Sequence, residues 1–111
     1  MEPEEPATIA RYVMKLLVER RFAELETASH GVRLSADGME DALADLGKPL
    51  VMPPATAWQR MDSSAIRNRP GAYSVRMDLW TASGKSDLCV ELTLYSRNGK
   101  PVIEVEDIGP A

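Results

Sequence analysis

Glu91, Glu104 and Glu106 are the residues best placed for acid-base chemistry in this 111-residue chain. Two carboxylates facing each other across a sheet repel until a proton or a cation relieves them, which is how general acid/base pairs arise. In the strand register argued below, Glu91 falls opposite Glu106 on one side and Arg76 on the other, while Thr93 falls opposite Glu104. Arg76 is a ready counterion, so the group reads as a surface Arg/Glu lattice before it reads as a catalytic pair. The other reactive side chains stand alone. His30 is the single histidine and Cys89 the single cysteine, and either could enter a nucleophilic triad only if the fold brought distant partners to it. His30 lies beside Gly31 at a predicted helix end, where an imidazolium suits the helix dipole. Cys89 reads as a small hydrophobe packed in a strand. Asp37, Asp41 and Asp45 repeat at spacing four, but without a glycine-turned calcium loop or a partner histidine they describe a solvated acidic face. No phosphate loop, Cys-x-x-Cys, His-Glu-x-x-His or Gly-x-Ser-x-Gly motif is present. The residues thus predict no catalytic site, no metal and no cofactor.

The elements that position these groups are written most clearly in the last 40 residues or so. Tyr73, Val75, Met77 and Leu79 alternate with Ser74, Arg76, Asp78 and Trp80. Leu88, Val90, Leu92 and Leu94 alternate with Asp87, Cys89, Glu91, Thr93 and Tyr95. In a third run, Ile103 and Val105 continue the apolar face, with Val102, Glu104, Glu106 and Ile108 opposite. A two-residue turn at Ser83-Gly84 sets Met77 beside Val90 and Val75 beside Leu92, and a turn at Asn98-Gly99 sets Leu94 beside Ile103 and Leu92 beside Val105. A one-residue slip in either hairpin would turn a whole apolar set to water, so the two registers support each other. Trp80 and Tyr95 then share the second face with Cys89, Ile108, Arg76 and Glu91. Aromatics and aliphatics there predict a covered contact face, met by a second copy, a protein partner or the chain's own first helix.

Upstream, residues 1–5 read as a disordered lead and 6–111 as a single domain. Ile9, Val13, Leu16, Leu17 and Arg20 recur at helical spacing from Pro6, with Tyr12 beside them, and the pattern continues through Phe22 and Leu25 past a bend near Arg20-Arg21 to a stop at Ser29-His30-Gly31. Ser35 caps a second helix with Met39, Leu43 and Leu46 inward and Gly47 at its end. Prolines at 49, 53 and 54 keep Lys48 to Pro54 extended, with Leu50, Val51 and Met52 as a buried connector. Pro54 begins a short helical segment carrying Trp58 and Met61 inward, and Ser64 to Arg67 forms a short strand that turns at Asn68 to Gly71.

Composition excludes several classes. A net charge of −4 opposes a nucleic-acid backbone as the main partner. A lone cysteine cannot form an internal disulfide, which fits a reducing compartment. The acidic start Met1-Glu-Pro-Glu-Glu-Pro6 is unlike a signal peptide, and the apolar runs are too short to span a bilayer, so neither membrane nor export is expected and a cytoplasmic location is.

Helices first and a curled antiparallel sheet of three to four strands after them make an α+β fold that resembles the cystatin-like roll of the nuclear-transport-factor-2-like superfamily. The passages Lys48-Pro-Leu-Val-Met-Pro-Pro54, Met77-Asp-Leu-Trp-Thr81 and Gly84-Lys-Ser-Asp-Leu88 are similar to those of a family of small uncharacterised bacterial proteins, and the likeness runs from about Ile9 to Ile108. The superfamily holds isomerases, dehydratases, polyketide cyclases, ligand binders and non-catalytic interaction domains, so the resemblance implies a fold more than an activity. Its enzymes place an Asp, His or Tyr in the pocket of the cone, whereas the inward strand positions here are almost all apolar. The expectation is a non-enzymatic accessory or interaction protein, self-associating or neutralising another bacterial protein. The alternative is a small-molecule binder or isomerase-like enzyme with a pocket between the first helix and the sheet, where Tyr12 and Tyr73 supply polar tips.

Overall fold

Pro6 occupies the first turn of helix α1 (Glu5–Val18), where its missing N–H costs no helical bond. The computed structural model describes residues 5–29, 34–44, 46–59 and 61–110. Ala10, Val13, Met14, Leu16 and Leu17, three and four apart, form the buried stripe of α1. The expected bend has a defined geometry. Arg20 takes φ 58°, a left-handed conformation unusual for a residue with a Cβ. Its N–H donates to the Leu17 carbonyl at 3.1 Å, and the Arg21 N–H donates to that of Leu16 at 2.8 Å. These paired bonds close a Schellman ending and separate α1 from α2 (Phe22–Ala28). Of the stop expected at Ser29-His30-Gly31, Ser29 is buried; His30 and Gly31 lie outside the described residues.

Helix α3 (Ala36–Ala44) is capped as its sequence predicts, with Ser35 Oγ accepting the Gly38 N–H at 3.1 Å. Met39 and Leu43 are buried, and Gly47 follows with φ 69°. Asp37 and Asp41 are exposed; Asp45 is outside the described residues. The extended connector contains the two-residue strand β1 (Leu50–Val51). Leu50 and Val51 are half-buried, but Met52, expected to be buried with them, is 45% exposed, and Pro53 is buried in its stead. Helix α4 (Ala55–Gln59) starts from Pro54, whose carbonyl accepts the Ala57 N–H at 2.9 Å.

The short strand after it, β2, runs from Asp62 to Ala65, two residues earlier than the spacing suggests. The loop to the next strand takes those two residues: Ile66 N–H bonds Ala72 O, Arg69 N–H bonds Ile66 O and Ala72 N–H bonds Arg69 O, so the turn opens at Ile66 rather than at Asn68. Strands β3 (Tyr73–Thr81), β4 (Gly84–Arg97) and β5 (Lys100–Pro110) complete an open, five-stranded antiparallel sheet of order β1-β3-β4-β5, with β2 also on β3. Since β4 takes one edge of β3, β1 and β2 share the other. They occupy its two ends, through Trp80-Thr81 and Tyr73 to Arg76 respectively.

The central register is the expected one: Met77 pairs with Val90, Val75 with Leu92, Arg76 with Glu91, Leu94 with Ile103 and Leu92 with Val105. Asn98 and Gly99, with φ 53° and 77°, form the tight turn between β4 and β5. Two departures re-aim side chains. The first is at the β3–β4 turn, which forms at Ala82-Ser83 rather than Ser83-Gly84, because the Thr81 hydroxyl accepts the Ser83 N–H at 3.2 Å and fixes the turn one residue early. The difference is absorbed further on, where Ser86, Asp87 and Leu88 lie opposite Leu79 and the Leu88 N–H folds back to Ser86 Oγ at 3.1 Å. The second is a bulge in β5 at Glu106: Leu92 pairs with Val105, but Glu91 pairs with Asp107 and Val90 with Ile108. One extra residue reverses the parity of all that follows. Ile108, expected on the second face, therefore points into the core and is 5% exposed.

That core is contiguous. α1, α2 and α3 lay Val13, Met14, Leu16, Leu17, Leu25 and Met39 against Val75, Met77, Leu79, Val90, Leu92, Leu94, Val105 and Ile108 of the sheet. Among the described residues no buried side-chain polar atom lacks a hydrogen-bond partner.

Candidate functional site

With the helices on the inner face, the side chains that alternate outward from β3, β4 and β5 make the second face. At its centre Arg76 and Glu91 stand across the β3–β4 ladder with Nε and Oε1 4.0 Å apart, their side chains 47% and 49% exposed. Arg76 Nε also donates to Cys89 Sγ at 3.3 Å, and the Cys89 thiol lies 3.8 Å from the Pro110 carbonyl. The Cys89 sulfur beside it raises the Arg76 pKa above its ordinary value, against an opposing effect of desolvation and with lesser help from Glu91 and Asp78. The guanidinium is a fixed cation. Cys89, although on the outer side of the ladder, is 2% exposed beneath these neighbours and presents no surface.

The carboxylates do not form the facing pair that simple alternation sets up. The β5 bulge removes Glu106 from Glu91 and puts Asp107 there. Glu106 Oε1 accepts the Thr93 hydroxyl at 2.9 Å, and Glu104 Oε1 accepts the Tyr95 hydroxyl at 3.0 Å. Tyr95 is held on its face too, with the Arg69 guanidinium 4.5 Å from the ring centroid and Arg97 at 5.7 Å. A polar hollow of about 220 Å³ opens beside this lattice, lined by Asp62, Ser64, Ser74, Arg76 and Glu91. Its lining offers hydrogen bonds and charge with almost no apolar wall.

Trp80, at the other end of the face, has different company. Between β1 and β2 the edge of β3 from Met77 to Leu79 has no strand partner among the described residues. The chain between those two strands arches away from this gap through Pro53 and α4. Under the arch lies a cavity of about 330 Å³, whose walls include Trp58, Met61, Met14, Met77 and Trp80 and whose polar groups are Thr56, Arg76, Asp78 and Lys85. Trp58 is braced by Arg11, whose guanidinium stacks 5.2 Å from the ring centroid. Lys85 pairs with Trp80 because of the Ser86 to Leu88 surplus; a turn at Ser83-Gly84 with unbroken pairing would have set Asp87 there. The irregularity replaces an acid by a base at the cavity.

Six of the eight side chains singled out from sequence can be placed against these features. Arg76 and Trp80 border the cavity, Arg76 and Glu91 the polar hollow, Tyr95 closes the far end of the face, Cys89 is buried within it, and Ile108 belongs to the core. Tyr12 is 45% exposed on α1, and Tyr73 is half-buried in β3 opposite Leu94; neither lines the cavity or the hollow. Trp58, Met61, Asp78 and Lys85 were legible only in part. The Pro53-Pro54 pair signals an arch, and Trp58 and Met61 do turn toward the core, but their joint wall with Trp80 depends on which edge of β3 the arch straddles.

No curated protein and no solved structure matches this chain. A family model described as a domain of unknown function, DUF7668, matches residues 14–111. The matched span runs from within α1 to the end of the sheet and so includes every element that builds the outer face and the cavity. On that match, the chain belongs to the DUF7668 family of domains of unknown function.

Proposed function

We propose that this protein is a non-enzymatic interaction domain that meets another protein, a second copy of itself included, through the outer face of β3, β4 and β5. The observation that carries the reading is the half-exposed Arg76–Glu91 pair at the centre of that face while all three amino-terminal helices pack on the other. An ordered polar lattice flanked by Trp80 and Tyr95 has the make-up of a transient interface, with aromatic anchors among satisfied hydrogen bonds. Two further features favour binding over catalysis. The inner face is filled with apolar side chains, and Glu106, Glu104 and Glu91 are engaged by Thr93, Tyr95 and Arg76 respectively. The reading extends to a cytoplasmic bacterial protein of the cystatin-like class, whose partner is a protein that it restrains. No helix among the described residues is long and apolar enough to cross a membrane.

Site-specific photocrosslinking tests it. A photoreactive side chain at Thr93, in the middle of the face, should yield discrete adducts in cells of the source organism or dimers of the purified protein, while the same group at Asp41 on α3 should not. If Thr93 and Asp41 behave alike, and sedimentation shows a monomer at every concentration, the outer face is not an interface.

A further inference from the structure

We infer that the cavity between α4 and the open edge of β3 is a binding site for a small organic anion with a compact apolar body. This site goes beyond the protein-contact reading: it shares Arg76 and Trp80 with the outer face, but lies at the edge of the sheet, where Met14, Trp58, Met61 and Lys85 line the cavity and not the polar hollow. Two tryptophans and three methionines supply an apolar, polarisable lining that adapts to a ring or branched chain. The volume of about 330 Å³ is at the small end of ligand pockets and suits one ring system with a short polar arm.

The shape selects a small molecule over a strand. A peptide adding to β3 would need a continuous edge, yet β1 and β2 close the gap on both sides and leave only Met77 to Leu79, about 10 Å of strand. The arch through Pro53, Thr56, Ala57 and Trp58 roofs it.

Charge selects the sign. The lining holds Arg76 and Lys85 against the single carboxylate of Asp78. Arg76 already reaches Glu91 at 4.0 Å, and neither the Lys85 ammonium nor the Asp78 carboxylate has a hydrogen-bond or ion-pair partner among the described residues. Arg11, stacked on Trp58, adds a further positive charge nearby. Paired tryptophans can also cage a cation, but here a cation would meet two like charges at the wall, while an anion gains Lys85 as its partner and leaves its body to the rings. The surplus Ser86 to Leu88 segment gains a purpose on this account: it brings Lys85, in place of Asp87, beside Trp80.

Both tryptophans of the chain line this one cavity, so its occupancy can be read from intrinsic fluorescence. The purified full chain would be titrated with cyclohexylacetate, 2-cyclohexylethanol and 2-cyclohexylethylammonium, which are transparent where tryptophan absorbs. The expected result is saturable change with the carboxylate, at least about tenfold weaker binding of the alcohol, and none of the ammonium. Lys85→Gln should weaken carboxylate binding toward that of the alcohol while leaving the urea midpoint in place, and amide shifts on binding should concentrate at residues 56–58 and 77–80. No saturable response to the carboxylate into the millimolar range, equal binding of carboxylate and alcohol, tighter binding of the ammonium, or amide shifts centred elsewhere would each overturn the site. Carboxylate binding with no crosslink at Thr93 would keep this site while removing the protein interface.

Discussion

The inner and outer faces of β3, β4 and β5 are built from alternate residues of one stretch of chain, yet different forces hold them. Inside, Val75, Met77, Val90, Leu92, Leu94 and Val105 are at most 5% exposed and belong to one apolar cluster. Outside, the contacts seen among the described residues are polar or cationic: Arg76 with Glu91 and Cys89, Thr93 with Glu106, Tyr95 with Glu104 and two arginines. Burial of apolar area is non-directional and large, whereas each exposed polar contact replaces one that water would have made and contributes little net. The inner face therefore fixes the fold, and the outer face is free to vary in what it binds.

Removing side chain from the two faces should show that difference most sharply at adjacent residues of β4. Leu92→Ala opens a void in the middle of the core and should lower unfolding free energy by about 2–5 kcal/mol in urea titration. A loss under about 1 kcal/mol would mean that the core can collapse around the site, or that Leu92 is not fully inside.

Ile108→Ala sharpens the comparison where the two readings of β5 diverge. With the bulge at Glu106 it deletes a core side chain and should cost about 2 kcal/mol or more; on a bulge-free outer face the same change would stay within about 0.5 kcal/mol. The urea midpoint of this one variant decides between the registers.

This residue also marks the limit of what sequence shows. The period of two, the Asn98-Gly99 turn and the Ser35 cap are local signals, and each reappears in the structure because short-range geometry is enough to specify it. The helices, the antiparallel order and nearly all of the core were legible on those grounds. What is not local was not legible. An extra residue at Glu106 is invisible in a run that alternates correctly up to it, and the early turn depends on a Thr81 hydroxyl that could as well have faced water. Both shifts change the site more than the fold: one takes Ile108 off the outer face and parts Glu106 from Glu91, the other places Lys85 at Trp80. The cavity was hidden for the same reason, since Met14, Trp58 and Trp80 come from three elements whose meeting depends on the arch between β1 and β2.

Thr93→Val tests the lattice itself with little change in volume. It removes the 2.9 Å hydrogen bond to Glu106 from a half-buried position, and a net loss of about 1 kcal/mol is expected. Because the valine suits a strand, a smaller or reversed effect would show that the outer face tolerates apolar replacement, which is itself what a contact surface needs.

Glu91→Ala should have the smallest effect of all, and for a reason that separates it from Leu92 next door. Its carboxylate is 4.0 Å from Arg76, at the limit of an ion pair, and both side chains are about half in solvent. Water and salt already screen the pair, and Asp78 still acts on the guanidinium when the glutamate is gone. No resolvable shift in the urea midpoint should follow, and raising the salt concentration should affect wild type and variant alike. If the central lattice is instead a contact surface, the same substitution should weaken association measurably while the midpoint stays put, because a partner would exclude the water that now screens the pair. A large loss of stability from Glu91→Ala would place the pair among the forces that hold the fold and would end the division between the two faces.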